Sequence, residues 1–356
     1  MKKVLFYLFG VIALLNLAIS CSKDDSAIPA ENAVNSRAIG FKTFLDKNIT
    51  KGVSTLPGNL QQDFWVYAYY DSLGDHYSTY LKPSFMFAQH VVYNDSSFTY
   101  TPTKYWPETG DVNFYAWTPN TSANLTVTNP LTPDSIGYPV FTYTINSTIA
   151  NQEDLLIAAA EDQDGTSGNV SLQFAHALTK VGFCARTGGD YAATGVTVKI
   201  MSITLNHIVK SGSFDFKKYS LNQSDSIWWT PTASNTANYT PNIGASTGAQ
   251  IGYYGNNYTY MELPTRNQFL LMIPQSFANN SQANITIVYK LFYADGSATQ
   301  TFTKVFPLQG TPTWVPGSYV NYAINISLNI VTFTGTVSDW NIINPEINIL
   351  PSDDPE

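Results

Sequence analysis

Between Tyr319 and Ile330 apolar and polar side chains alternate almost without a break. Val320, Tyr322, Ile324, Ile326, Leu328 and Ile330 fall on one side, and Asn321, Asn325, Ser327 and Asn329 on the other. Successive side chains of an extended chain point to opposite faces, so this run predicts a half-buried strand. Ile285, Ile287, Tyr289, Leu291 and Tyr293 repeat the pattern, and Asp295-Gly296 then leads into Thr299 to Phe306. Asp-Gly between two such runs predicts a hairpin, because both residues tolerate positive φ. Val196, Val198 and Ile200 share one phase while Ile203 and Leu205 share the other, which predicts a β-bulge near Met201 and Ser202. Phe64 to Tyr70 is apolar throughout, as expected of a strand buried on both sides or paired in a sandwich core. No helix of any length is expected. Leu155 to Ala160 reads as a strand or one helical turn, and Ala175 to Thr179 as a turn of helix.

Many short strands separated by Gly, Pro, Asn and Asp predict an all-β chain of antiparallel β-sandwiches. The least strand-like break near the middle is Thr187-Gly188-Gly189-Asp190, which sets an N-terminal domain at 37–187 and a C-terminal domain at 188–345, with a short polar tail at 346–356. Asn206 to Asn257, rich in Asn, Ser, Thr and Gly, reads as surface loops of the second domain. No repeat of solenoid or propeller period is visible.

The opening segment is an export signal. Lys2 and Lys3 precede an apolar stretch from Val4 to Ile19, and Ala18-Ile19-Ser20-Cys21 closes it. The stretch is shorter than the roughly 20 residues of a membrane-crossing helix. A small residue before a cysteine is what lipoprotein processing requires, so 1–20 is expected to be a lipoprotein signal peptide and Cys21 the lipid attachment point. Residues 21–36 follow as a flexible polar tether. Removing the leader leaves about 335 residues, which is long for one core and comfortable for two domains.

Charged residues are 12% of the chain, about half the usual share, and aromatics reach 14%. That balance suits an extracellular β protein better than a helical cytosolic enzyme. A net charge of −8 argues against nucleic acid as partner, since phosphate rewards clustered Lys and Arg. With Cys21 lipidated, Cys184 is left without a disulfide partner and reads as a small buried strand residue.

No catalytic constellation is recognisable. His76, His90, His176 and His207 lack metal-ligand spacing. Gly244-Ala245-Ser246-Thr247-Gly248 matches G-x-S-x-G but lacks the strand before it and the helix after it that a nucleophile elbow needs. Glu161, Asp162 and Asp164 with Gly165 resemble the start of a calcium loop, yet the glycine comes too early and no distal acidic ligand follows, so a solvated turn is the plainer reading. Trp106 reads as core. Trp228-Trp229 is the better exposed candidate for stacking on a sugar, because neighbours on a strand point to opposite faces and both are hard to bury. No enzyme activity, cofactor or metal is expected.

Four stretches together resemble the fimbrillins of the Bacteroidetes, the minor-fimbrium-like proteins that build type V pili. They are Ala38-Ile39-Gly40-Phe41 with Thr50-Lys51-Gly52 and the Phe64 strand; Tyr105-Trp106-Pro107 with Gly110 and Asn113-Phe114-Tyr115-Ala116-Trp117; Asp154-Leu155-Leu156 leading to Leu172 through Lys180; and Trp314 with Gly317-Ser318-Tyr319 and the closing Val337-Ser338-Asp339-Trp340. Ser22-Lys23-Asp24-Asp25 likewise resembles the acidic tag that sends lipoproteins of that phylum to the outer face of the outer membrane. Asp71-Ser72, Asp134-Ser135 and Asp225-Ser226, each followed by an apolar residue, resemble its O-glycosylation acceptors, with Ser72, Ser135 and Ser226 as the acceptor positions.

The resemblance implies a pair of transthyretin-like sandwich domains, exported as a lipid-anchored surface precursor of a fimbrium. It implies that a protease cuts after Arg or Lys and removes the first strand, and that a strand from another fimbrial subunit, or another copy, fills the groove. A host or bacterial surface ligand is a further expected partner. The strand to be removed would be Ala38 to Leu45; Lys51 is the better-placed cut, while Arg37 would only release the tether. Beyond Trp340, Pro345, Pro351 and Pro355 interrupt the apolar residues, and proline donates no ladder hydrogen bond. The expected role is therefore an accessory, tip or anchor subunit. The alternative is a monomeric glycan-binding lipoprotein using Trp228 and Trp229.

Overall fold

Strands dominate because β-branched and aromatic residues recur at period two. The computed structural model describes residues 37–45, 60–72, 82–119, 123–166, 168–221, 228–243, 247–253, 261–263, 269–295, 297–327 and 331–340. In chain order the first nine strands are β1 (Gly40–Leu45), β2 (Phe64–Asp71), β3 (Met86–Asn94), β4 (Ser97–Thr99), β5 (Asp111–Thr118), β6 (Leu125–Asn129), β7 (Val140–Thr144), β8 (Leu156–Gln163) and β9 (Asn169–His176). Seven of them form one sheet in the order β1-β9-β8-β5-β2-β3-β4.

This sheet is buried on both faces, and the residue parity shows how. Phe64, Val66 and Ala68 of β2, Val112, Phe114 and Ala116 of β5, and Val170, Leu172 and Phe174 of β9 line a first core with Ile39 and Phe41. The intervening Tyr67, Tyr69, Tyr115, Trp117 and Ile157 belong to a second, larger core. Two-sided burial demands an uninterrupted apolar strand; in Phe64 to Tyr70 it holds for Phe64 and Val66 through Tyr69, while Trp65 is half-buried and Tyr70 is exposed at the strand's end.

The remaining strands are β10 (Thr179–Thr187), β11 (Val196–Val209), β12 (Ser211–Asp215), β13 (Trp229–Pro231), β14 (Thr236–Tyr239), β15 (Ala249–Ile251), β16 (Met261–Leu263), β17 (Leu270–Met272), β18 (Asn284–Tyr293), β19 (Ala298–Pro307), β20 (Ser318–Ile326) and β21 (Val331–Asp339). One sheet runs β16-β10-β20-β21 with β17 also on β10; another runs β14-β11-β18-β19 with β15 also on β11. A four-stranded sheet, β13-β12-β7-β6, joins strands from either side of the Thr187–Asp190 break. Most pairings are antiparallel; β1 with β9 and β10 with β20 are parallel. The sheets stack as all-β sandwiches around the larger core, through contacts such as Trp117 with Phe141 and Phe306 with Phe333.

The bulge in β11 falls between Ile200 and Ser202, where the change of phase places it. β18 and β19 pair antiparallel on either side of the Asp295 turn, whose carboxylate accepts the Ser297 N–H at 2.8 Å. Cys184 is buried on β10.

Three expectations need correction. β20 is not half-buried: Asn321 is 3% exposed and its apolar neighbours are buried too, so side chains on both faces of the strand are covered, while Leu328 to Ile330 of the predicted run lie outside the described residues. The segment from Asn206 to Asn257 is not a set of surface loops. It supplies β12 to β15 and one six-residue helix, α1 (Phe216–Leu221), and buries Phe214, Phe216, Tyr219, Trp228 and Trp229 in the larger core. Its polar residues mislead because the few aromatics among them carry the burial. Ala175 to Thr179 is not a helical turn but the end of β9 and the start of β10.

Candidate functional site

The feature with the clearest functional geometry is the edge strand β1. It pairs with β9 from Gly40 opposite Asn169 to Leu45 opposite Phe174. Along it Phe41 and Thr43 are buried while Lys42 faces solvent. Phe41 inserts its ring among Phe64, Tyr100 and Phe114, with centroids 5.4, 5.6 and 5.9 Å away and edge-to-face geometry each time. Such arrangements are the preferred ones for aromatic quadrupoles. Thr43 Oγ1 donates to the Leu60 carbonyl at 2.8 Å. The Tyr100 hydroxyl donates to the Ile39 carbonyl at 2.8 Å, and Ile39 N–H donates to the Lys104 carbonyl at 2.9 Å. The strand is therefore held by an apolar plug and a small set of polar ties. Among the described residues it has one ladder neighbour.

The slot is built from the cluster that holds Phe41, which includes Phe64, Phe114, Phe174, Trp106 and Val170, with the partly buried Tyr100 packed against it. Lifting β1 out would expose this lining and leave β9 with unpaired backbone groups on one side.

The sequence-predicted positions distribute as follows. Arg37 is exposed in a turn. Cys21, Lys51, Ser226, His76 and the Gly244-Ala245-Ser246 motif lie outside the described residues. Ser72 is exposed immediately after β2. Ser135 lies in a turn, its hydroxyl 2.8 Å from that of Thr132.

Trp228 and Trp229 are 2% and 5% exposed, which overturns the expectation that the pair is hard to bury. Trp228 precedes β13 and so escapes strand alternation. Its ring packs edge-on against Tyr219 at 4.8 Å, and the Trp229 Nε1–H donates to the Ala177 carbonyl at 2.7 Å. The exposure on which their sugar-stacking role rested is gone. Trp106 is core, as its Tyr-Trp-Pro setting suggests.

The acidic cluster is divided among separate tasks. Glu161 accepts a hydrogen bond from the Tyr115 hydroxyl, and burial beside that carboxylate pushes the Tyr115 phenol well up. Asp164 closes a tight turn by accepting from Thr166 N–H at 2.9 Å and Thr166 Oγ1 at 2.8 Å, which holds its carboxyl below the usual range. Gly165 adopts φ +80, and a Cβ there would lie 2.6 Å from the Trp106 ring. Close approach to that indole accounts for the glycine without a cation. Among the described residues no three His, Cys, Asp or Glu side chains converge on a point where a metal would sit.

Two histidines do have partners. His90 stacks on Trp65 and meets Asp63 at 3.0 Å. His176 meets Asp154 at 2.7 Å and stacks on Trp340 at 4.2 Å. Neither pairing is legible in the sequence, since the partners lie 27 and 22 positions away.

Sandwiched sheets with a plugged edge strand define a β-sandwich protein whose first strand closes its own core. Residues 58–340 match the fimbrillin-like family, and the chain belongs to that family. It is 26% identical over 194 residues to the fimbrium subunit Fim1C of Phocaeicola vulgatus; the match covers 49% of this chain and about half, 49%, of that relative's length. The crystal structure of a fimbrial protein from Bacteroides vulgatus superposes with a TM-score of 0.65 at 18% identity, over 86% of this chain and 100% of that one, so the fold is shared. β1 lies outside the family match, which begins beyond Lys51.

Proposed function

We propose that this fimbrillin-like chain is a lipid-anchored surface subunit of a fimbrium that is completed by strand exchange at the β1 position. The observation that carries the proposal is Phe41: a single edge strand plugs a slot lined by aromatic rings and, among the described residues, is held laterally by β9 alone. Cleavage after Lys51 would detach the strand, whereas cleavage at the exposed Arg37 would free the chain from its lipid on Cys21 and leave the plug in place. The vacated slot would accept a donor strand from another fimbrial subunit or another copy. Pro345, Pro351 and Pro355 favour an accessory, tip or anchor position over a repeating stalk, since they break the ladder a donated strand would need. The division into domains at 37–187 and 188–345 is part of the same reading, with the β12–β13 segment returning across it to pair with β7.

Limited trypsin digestion of the precursor, followed by intact mass and a native gel, tests the proposal. Loss of the segment through Lys51 with growth of ladders resistant to SDS is the expected result. A trimmed species that keeps β1, or loses it and stays monomeric in the presence of other subunits, refutes it.

A further inference from the structure

The edges of the other sheets show how this chain deals with unpaired backbone. An open edge offers a row of N–H and C=O groups to any extended chain, and natural proteins blunt it with short strands, proline, charge or bulges. Here β4, β13, β16 and β17 are three residues each and β14 is four. β6 is offset between Val127 and Asn129 and runs into Pro130. β19 is long, but it carries an exposed Lys304 and ends at Pro307.

β21 has none of these devices. It pairs with β20 in unbroken register over nine residues, from Ile326 opposite Val331 to Ser318 opposite Asp339. Its sequence, Val331-Thr-Phe-Thr-Gly-Thr-Val-Ser-Asp339, contains no proline and no charge before Asp339. Among the described residues no strand covers its other side. Thr332 and Thr334 face solvent, and Val337 is 44% exposed.

The composition of β21 selects one occupant, because it is complementary to itself. Antiparallel pairing of two copies about Gly335 sets Thr334 opposite Thr336, Phe333 opposite Val337 and Thr332 opposite Ser338. Hydroxyl meets hydroxyl and apolar meets apolar, which are favourable cross-strand pairs. The only charged residue, Asp339, falls opposite Val331, so the two carboxylates lie at opposite ends of the ladder and never face each other. Gly335 leaves room for the Tyr322 ring: a Cβ there would lie 2.9 Å from it, and that ring stacks on Phe333 at 4.9 Å. A contact of this kind is isologous and closes as a two-fold dimer.

We infer that β21 is a homodimerisation edge, on which two copies of this chain join their β10-β20-β21 sheets into one continuous sheet. This surface is separate from the β1 slot, so pairs of subunits are expected whether or not strand exchange occurs.

The test uses residues 22–356, which retain every described element, with Cys184→Ala to remove the buried thiol. Sedimentation over a range of concentrations is expected to show reversible dimers. Thr334→Lys, at an exposed position, is expected to weaken them at least tenfold with an unchanged melting temperature. Oxidation of an equimolar mixture of Thr334→Cys and Thr336→Cys chains is expected to yield a disulfide-linked heterodimer, whereas either chain alone links little. A monomer at submillimolar concentration, or dimers indifferent to Thr334→Lys, overturns the inference. So does cross-linking of the mixture no better than of each chain alone. None of these outcomes depends on cleavage at Lys51, so the inference and the strand-exchange proposal fail independently.

Discussion

Replacing Phe41 by alanine should loosen one strand while leaving the rest of the fold intact. The side chain is 7% exposed and touches three rings. Phe→Ala in a closed core costs about 3–5 kcal/mol, and the lower end applies where the surroundings can close on the cavity. β1 is an edge strand with one ladder neighbour, so it can shift into the space it vacates. A cost of about 3 kcal/mol raises the opening constant of β1 roughly 100-fold, at about 1.4 kcal/mol per decade. Local opening is read by native-state hydrogen exchange, where segments separate by their own free energies. The β9 amides bonded to β1, within Asn169 to Phe174, should lose about two decades of protection. Those of β2 and β5, which have strands on both sides, should change little. A uniform loss over all strands would refute the reasoning, since β1 would then be part of the global folding unit and not a replaceable plug. A change below about threefold at β9 would refute it too, since Phe41 would then contribute little to holding the strand.

Other consequences follow from the burial. Burial holds the Tyr67 and Tyr322 phenols up at about 12, against 10.0 when unfolded, so the fold favours their neutral forms. Their contribution to stability is full below pH 10 and should be lost as pH rises from 10 through 12, seen as alkaline unfolding tracked by tyrosinate absorbance. Trp229→Phe strands the buried Ala177 carbonyl and should cost about 1–3 kcal/mol in denaturant titration, with no effect on any sugar affinity. Trp228→Ala should cost about 3–5 kcal/mol by the same assay, because it empties a core site and does not remove a surface platform. Gly182→Ala would bring a Cβ within 2.5 Å of the Tyr319 hydroxyl and 3.0 Å of the Phe269 ring; the overpacking should cost about 1–3 kcal/mol and lower the melting temperature.

The readings that held rest on properties local to a strand. Alternation in β18, the change of phase at Ser202, the Asp295 turn and the apolar run of β2 each need only a few neighbouring residues to be recognised. The failures share a cause as well. β20 is covered on its polar face by residues distant in sequence, which alternation cannot report. In the segment after Asn206, polar composition averages over a few aromatics that the fold gathers into one core. Trp228 and Trp229 read as a pair that is hard to bury, but the first stands just outside β13 and strand parity does not govern it.

The sequence by itself determined that this is an all-β chain of sandwiched sheets and, through its four marked stretches, which family it belongs to. Period-two patterning and turn chemistry are short-range, so one strand's worth of residues suffices to write them. Only the tertiary structure decided that β1 plugs a ring-lined slot beside β9, that β7 and β12 pair across the middle of the chain, and that β21 is, among the described residues, an edge without a neighbour on one side. Which strands become neighbours depends on closing long loops around a shared core. That choice is made by burial summed over residues more than a hundred positions apart, as when Thr179 Oγ1 bonds the Val315 carbonyl across 136 residues.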